Sequence, residues 1–259
     1  MWDSIIITPF VNVLLYIYTI VGQNFGIAII LFTILIRLVT HPLTAQQVKG
    51  SKGMAALQSD KRWIEAQKKY KDDKEKLAQE QMALYKELGI NPFASCLPTI
   101  IQFPIIIGLY QSVMLTLASS PIEMLNLTKH VYPGFLSISQ LIPLNSKFLW
   151  MNLGLPERLH LSFLSFGIPV LAILVLITTY LQSKAMTPPS ANPNDQSAQM
   201  SKMMNLYMPF LMFYLAFTFS SGLSLYFVTS NIVGILQYAA LGMVDFKKMF
   251  SFPILKKKA

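Results

Sequence analysis

Residues 4–43 form a run of forty residues that carries one charged side chain, Arg37. A transmembrane helix needs about 20 apolar residues to cross a hydrocarbon core about 30 Å thick. A run twice that length has little place on the surface of a water-soluble domain, so it constrains everything else. It is interrupted at Pro9 and at Gly22-Gln23-Asn24. Residues 24–43 are expected to span the membrane. Residues 3–21, preceded by Trp2 and Asp3, suit either a second span or a helix lying in the interface.

The rest of the chain repeats the pattern. Further spans are expected at 94–118, 161–183, 203–219 and 223–243, the last two separated only by Ser220-Ser221-Gly222. Composition agrees: 53% of residues are hydrophobic and 13% charged, against about 25% charged in average globular usage. A soluble enzyme is thereby excluded.

Orientation follows from the connections. Segments 44–93, 184–202 and 244–259 hold seventeen Lys and Arg, whereas 119–160, about 40 residues long, holds only Lys129, Lys147 and Arg158. The N-terminus is therefore expected outside and the C-terminus in the cytoplasm, which demands an odd number of spans. A sixth span at 3–21 breaks that parity, so 3–21 is assigned to the interface. With no basic residue before Arg37, an ordinary cleaved signal is not expected.

The expected fold is an all-α membrane protein, with five transmembrane helices, a cytoplasmic helical hairpin and an N-terminal interfacial helix. Its segments are 1–43 (interfacial helix and first span), 44–93 (hairpin), 94–118 (second span) and 119–160 (extracytoplasmic connection). They continue with 161–183 (third span), 184–202 (cytoplasmic loop), 203–243 (fourth and fifth spans) and 244–259 (basic tail). In the hairpin, residues 46–70 lack Pro and are rich in Ala, Gln and Lys, all adequate helix formers. A bend is expected at Lys71-Asp72-Asp73, with Asp72 and Glu75 capping the second helix. Leu77, Gln81, Leu84 and Leu88 then share one face, and Gly89 followed by Pro92 stops the helix. Such a segment suits a solvated helical pair or a docking arm; its ten basic residues face seven acidic ones.

Catalytic and metal chemistry find no foothold. Cys96 is the sole cysteine, His41, His130 and His160 are scattered, and no nucleotide-binding or hydrolase string occurs. No catalytic residue, cofactor or metal site is expected.

Arg37 is the informative residue, because Arg at a bilayer centre costs about 2.5–3.5 kcal/mol on insertion scales. A helix end near Leu43 lies only about 9 Å away, so snorkelling to headgroups competes evenly with a functional role. No acidic residue falls inside an expected span, leaving water, lipid phosphate or polar side chains to satisfy the guanidinium. A wet recess open to the cytoplasm would follow. The same lack of carboxylates argues against a proton-coupled transporter. Thr33 lies four residues earlier on the same helix face. Pro98 and Pro104 bracket Gln102, loosening the backbone around a polar side chain. Ser230, Asn231 and the remaining polar span residues read first as interhelical glue. Gly22-x-x-x-Gly26 reads as the bend before the first span rather than a dimer motif.

Three ordered blocks carry a resemblance. The first is Thr33-Ile-Leu-Ile-Arg37 running into Pro42-Leu-Thr-Ala-Gln46. The second is Ala83-Leu-Tyr-Lys86, Asn91-Pro92, Cys96-Leu-Pro98, Ile101-Gln102-Phe-Pro104-Ile105 and Leu109-Tyr110. The third is Gly222-Leu223-Ser-Leu225-Tyr226 with Ser230-Asn231. Over nearly all of residues 1–245 the chain resembles the YidC family of membrane-protein insertases, whose relatives include mitochondrial Oxa and chloroplast Albino proteins. The resemblance implies a hydrophilic groove open to the cytoplasm and lipid, with Arg37 as its positive charge and Thr33 in the same motif. It places Gln102 and Tyr226 on or beside the groove, and Phe227 where relatives carry a second aromatic that touches substrate. Ser220 stands where a proline is common in the bacterial pattern. The chain looks like the bacterial type without a large periplasmic domain, and its Lys256-Lys257-Lys258 tail is unlike the long tails of mitochondrial relatives.

Implied partners are nascent membrane proteins and anionic lipids, with the Sec translocon and ribosome as candidates; specific nucleic acid is not expected, and a monomer suffices. The implied location is the bacterial plasma membrane. A small-solute transporter or channel is the alternative, though no internal repeat supports it.

Overall fold

The computed structural model describes residues 1–70, 73–91, 97–117, 120–134, 141, 144–160, 167–186 and 196–244. It is helical almost throughout. In chain order the helices are α1 (Asp3–Ile20, its first turn π-helical), α2 (Phe25–Val39), α3 (His41–Ser59), α4 (Lys61–Lys69), α5 (Lys74–Glu87), α6 (Leu97–Thr116), α7 (Pro121–Lys129), α8 (Val170–Met186), α9 (Gln196–Thr218) and α10 (Ser221–Ala240). Two short antiparallel strands, β1 (Lys147–Phe148) and β2 (Met151–Asn152), lie between α7 and α8. The chain divides into two compact units: Met1–Val39, Ile101–Thr179 and Met208–Val233 form the first, and Thr40–Ile100, Tyr180–Tyr207 and Gly234–Ala259 the second.

In the first unit, α1 and α2 are joined by a tight turn at Gly22 (φ 68°) and Gln23 (φ 60°). The Gln23 N–H reaches back to the Tyr18 carbonyl, and Asn24 Oδ1 accepts from the Ile27 N–H at 3.1 Å, starting α2. The two helices then pack through Phe10 on Phe32 and Tyr18 on Phe25, both edge to face. Asn12, buried within α1, accepts from the Tyr132 N–H and donates to the His130 carbonyl. Tyr18 Oη accepts from the Asn145 N–H. The core combines these side chains with Ile29, Leu109, Val113, Val175, Leu223 and Tyr226.

The β1–β2 hairpin is stitched to the start of α10. The Ser221 and Gly222 N–H groups donate to the Leu155 and Leu153 carbonyls, and Ser221 Oγ donates to the Asn152 carbonyl at 2.8 Å. Two of the orphan donors of a helix N-terminus are satisfied in this way. Gly26 in α2 admits the Phe148 ring, which a Cβ there would strike. Glu157, buried, accepts from the Trp150 indole and from the Leu171 N–H in the first turn of α8.

In the second unit, Trp63 of α4 and Leu84 and Tyr85 of α5 cluster with Leu57 of α3, with Leu77 and Ile90 at the margin. Arg62 bridges Asp60 and Glu87 on the exposed side. Gly89 (φ 62°) ends α5, and the Ile90 N–H donates to the Tyr85 carbonyl at 2.8 Å.

Several boundaries differ from expectation for identifiable reasons. The first expected span, 24–43, is interrupted at Thr40: α2 ends at Val39 and α3 begins at His41, with Pro42 in its first turn, where the missing N–H cannot continue the hydrogen-bond ladder of α2. The expected continuous helix over 46–70 breaks at Asp60, whose extended backbone (φ −70°, ψ 129°) and side chain cap α4. The cap of α5 is Asp73, accepting from the Lys76 N–H, whereas Asp72 lies outside the described residues. Leu88 is exposed and Tyr85 takes its place in the apolar face. The third expected span starts at Val170 rather than 161. Ile168 pairs with Leu159 instead of joining a helix, and residues 161–166 lie outside the described set, as do 187–195 and 245–259. Among the described residues α1 and α10 are long and apolar enough to cross a membrane, or three segments if α2 and α3 count as one broken span. By length alone α1 is thus as good a span as α10.

Candidate functional site

Three helices of the first unit bring polar side chains together. Arg37 sits in the last turn of α2, a position that the partial negative charge of a helix C-terminus favours. The break forced by Pro42 puts it there. Its Nε donates to Ser230 Oγ of α10 at 2.9 Å. One turn earlier on the same face of α10, Tyr226 lies beside both Ser230 and the Arg37 charge. The Tyr226 hydroxyl accepts from Gln102 Nε2 of α6 at 2.5 Å, two residues before Pro104, which removes a backbone hydrogen bond within α6. A second knot adjoins it: Asn231 Nδ2 donates to Thr179 Oγ1 at 2.8 Å and Thr178 Oγ1 at 3.1 Å, tying α10 to α8. Tyr226, Ser230 and Asn231 are buried, while Arg37 and Gln102 are half-buried.

Of the residues singled out from sequence, Arg37, Gln102 and Tyr226 therefore meet, through Ser230. Thr33 does not join them. It is fully buried and its hydroxyl donates to the Ile29 carbonyl of its own helix at 2.6 Å. Phe227 packs in the apolar core with its ring tilted against Tyr226, centroids 5.7 Å apart. The layer presents the permanent positive charge of Arg37, held by the Ser230 hydroxyl. No cluster of three or more His, Cys, Asp or Glu that would hold a metal occurs among the described residues.

Comparison with known proteins settles the family. The model of the 60Kd inner membrane protein family matches residues 16–246, which takes in α2, α6, α8, α9 and α10. The chain belongs to this family, the YidC/Oxa group of membrane protein insertases. It is 34% identical over 249 residues to the membrane protein insertase MisCA of Bacillus subtilis, covering 95% of this chain and 81% of that one. It is 32% identical over 240 residues to the membrane protein insertase YidC 2 of Bacillus anthracis, covering 91% and 79%. A crystal structure of an active YidC insertase with its first transmembrane domain resolved shares the fold, with a TM-score of 0.56 and 23% identity. That match covers 91% of this chain and 46% of the other, so the chain spans about half the length of that protein.

In this YidC-family chain, Ser230 ties α10 to α2 as the glue the sequence reading expected, but its pairing with Arg37 was not foreseen. The signal was its spacing, four residues after Tyr226 and so one helical turn along the same face. Asn12 and Glu157 were also missed, since one buried polar residue in an apolar run carries no periodic signature.

Proposed function

We propose that this chain is a membrane protein insertase and chaperone. On this reading it takes nascent membrane proteins into a hydrophilic groove lined by Arg37, Ser230, Tyr226 and Gln102, then releases them sideways into lipid. The observation that carries the proposal is the Arg37–Ser230 contact within a layer that also holds the Tyr226–Gln102 pair. Polar groups contributed by α2, α6 and α10 there surround a fixed cation in otherwise apolar helices. Family membership supports the activity.

The physical problem is carrying a polar, often acidic segment across about 30 Å of hydrocarbon. Two features shorten the dry path. The polar layer admits water part-way. In addition α2 and α8 are 15 and 17 residues long, or no more than about 26 Å, and short spans thin the bilayer around them. Arg37 then draws in carboxylates. A charge pair about 4 Å apart is worth about 1 kcal/mol in water and about 4 kcal/mol at an effective dielectric constant of 20, enough for capture and weak enough for release. Transfer of the client's apolar helix into lipid drives the outcome. Membrane potential adds about 2.3 kcal/mol per charge per 100 mV for acidic segments.

The excess of Lys and Arg in 44–93, 184–202 and 244–259 supports a cytoplasmic C-terminus and an outer N-terminus in a bacterial plasma membrane. In that frame five spans remain, with α1 along the outer interface. The ties from Asn12 to residues 130 and 132 and from Tyr18 to residue 145 support this placement, because the middle and the C-terminal part of α1 meet the outer connection. The α4–α5 pair forms a cytoplasmic hairpin that captures clients early, near anionic lipid, and the ribosome and the Sec translocon are candidate sources of clients. A monomer suffices, and no covalent step is needed.

Purified chain in liposomes, supplied with a short single-span client bearing an acidic tail, tests the proposal. Protease protection of the tail is expected with the chain and absent without it. Equal protection in empty liposomes overturns it.

A further inference from the structure

The turn joining β1 to β2 is unlike an ordinary hairpin turn. Two-residue hairpins favour Asn-Gly or Gly at positions where φ is positive, yet here the turn is Leu149-Trp150, with Leu149 at φ 54°. A bulky residue is rare in that region. Both side chains point outward: Leu149 is 73% exposed, Trp150 50% and nearby Leu155 59%. A strained backbone displaying apolar side chains to the surroundings marks a contact whose other half is missing.

The tip is held firmly. The Trp150 indole N–H donates to the buried Glu157 carboxylate at 2.8 Å, leaving the ring face outward. Phe148 seats on Gly26 at the first turn of α2, and the Leu153 and Leu155 carbonyls take the first N–H groups of α10. The hairpin thus sits level with the ends of two membrane helices, where the aromatic belt of a bilayer lies. Lys147 and Arg158, two of the three basic residues in the whole 119–160 connection, flank it and are exposed, which complements lipid phosphate. Three side chains of at most about 250 Å² each fall short of the roughly 800 Å² per partner of a stable protein interface. They suffice for a monolayer.

We propose that the Leu149-Trp150 tip inserts into the headgroup boundary of an anionic phospholipid monolayer and fixes the depth at which α2 and α10 start. The proposal rests on the chain residing in a membrane but not on the insertase reading. A chain with Trp2→Phe and Trp63→Phe retains Trp150 as its sole tryptophan. This variant is reconstituted into phosphatidylcholine–phosphatidylglycerol vesicles with acyl chains brominated at shallow or deep positions. Shallow bromines should quench Trp150 fluorescence at least about twofold while aqueous iodide quenches little. Adding L149N, which tolerates the positive φ but removes the apolar group, should roughly halve bromine quenching at an unchanged melting temperature. Iodide quenching without bromine quenching, no quenching by either, or bromine quenching unaffected by L149N each overturns the proposal. The readout needs no client, so it fails or succeeds independently of the insertion assay.

Discussion

Ser230 is the hinge of the polar layer at the residue scale, since its hydroxyl accepts from the Arg37 Nε while its neighbour Asn231 donates to Thr178 and Thr179. Ser230→Ala should therefore cut insertion of acidic-tailed clients by about two- to tenfold, the net worth of a typical hydrogen bond of about 0.5–1.5 kcal/mol, and leave neutral-tailed clients nearly unchanged. Insertion yields for the two client classes, compared at equal protein level, check this. Tyr226→Phe keeps the buried ring but strips the half-buried Gln102 amide of its acceptor, at a cost of about 0.5–1.5 kcal/mol, the net worth of one hydrogen bond. The expected outcome is a lower melting temperature in detergent, read by loss of helical circular dichroism. Thr33→Val is the contrasting case: the hydroxyl is spent on Ile29, so insertion should stay within about twofold of wild type. A large loss would mean Thr33 meets clients directly. Ser220 Oγ is buried with no hydrogen-bond partner among the described residues, so Ser220→Ala is expected to raise the melting temperature.

At the scale of elements, the helix caps of the second unit carry a pH dependence. Asp60 and Asp73 are held below the usual carboxylate range, by side-chain hydrogen bonds from Arg62 and Lys76 first and by backbone N–H groups next. A depressed folded pKa adds stability above the unfolded value and loses it as pH falls through the folded one. The α4–α5 contact should thus hold at neutral pH and loosen below about pH 4. Trp63, buried in that contact, reports it: in a chain with Trp2→Phe and Trp150→Phe, its emission should shift red in acid and stay fixed from about pH 5 to 8. Asp60→Asn, which keeps the cap oxygen but has no titration, should shrink that acid shift.

These same elements show what a sequence reveals. Apolar run lengths and the Gly89 stop were legible because they rest on local backbone rules. Arg37, Gln102 and Tyr226 were legible through ordered motifs. The end of α2 was misplaced because apolar character continues to Leu43 while the backbone is already broken by Pro42. The choice between Asp72 and Asp73 as cap turned on one residue of register, which two adjacent aspartates leave open. The pairing of Ser230 with Arg37 escaped because a serine in a span usually bonds its own helix, and this partner sits 193 residues away.

At the scale of the whole molecule, the chain combines a first unit that holds the polar layer with a second, charge-rich unit that holds the α4–α5 pair. Deleting 50–88 should weaken early client crosslinking without removing the polar layer, and unchanged crosslinking would strip the hairpin of a capture role. The central claim concerns the sign of one charge. The most direct measurement is the ratio of protected acidic-tailed to neutral-tailed client in liposomes, compared between wild type, Arg37→Lys and Arg37→Glu. The account predicts a ratio nearly retained by Arg37→Lys and reduced about tenfold by Arg37→Glu, with the difference shrinking as salt rises. A ratio that Arg37→Glu leaves unchanged would contradict it.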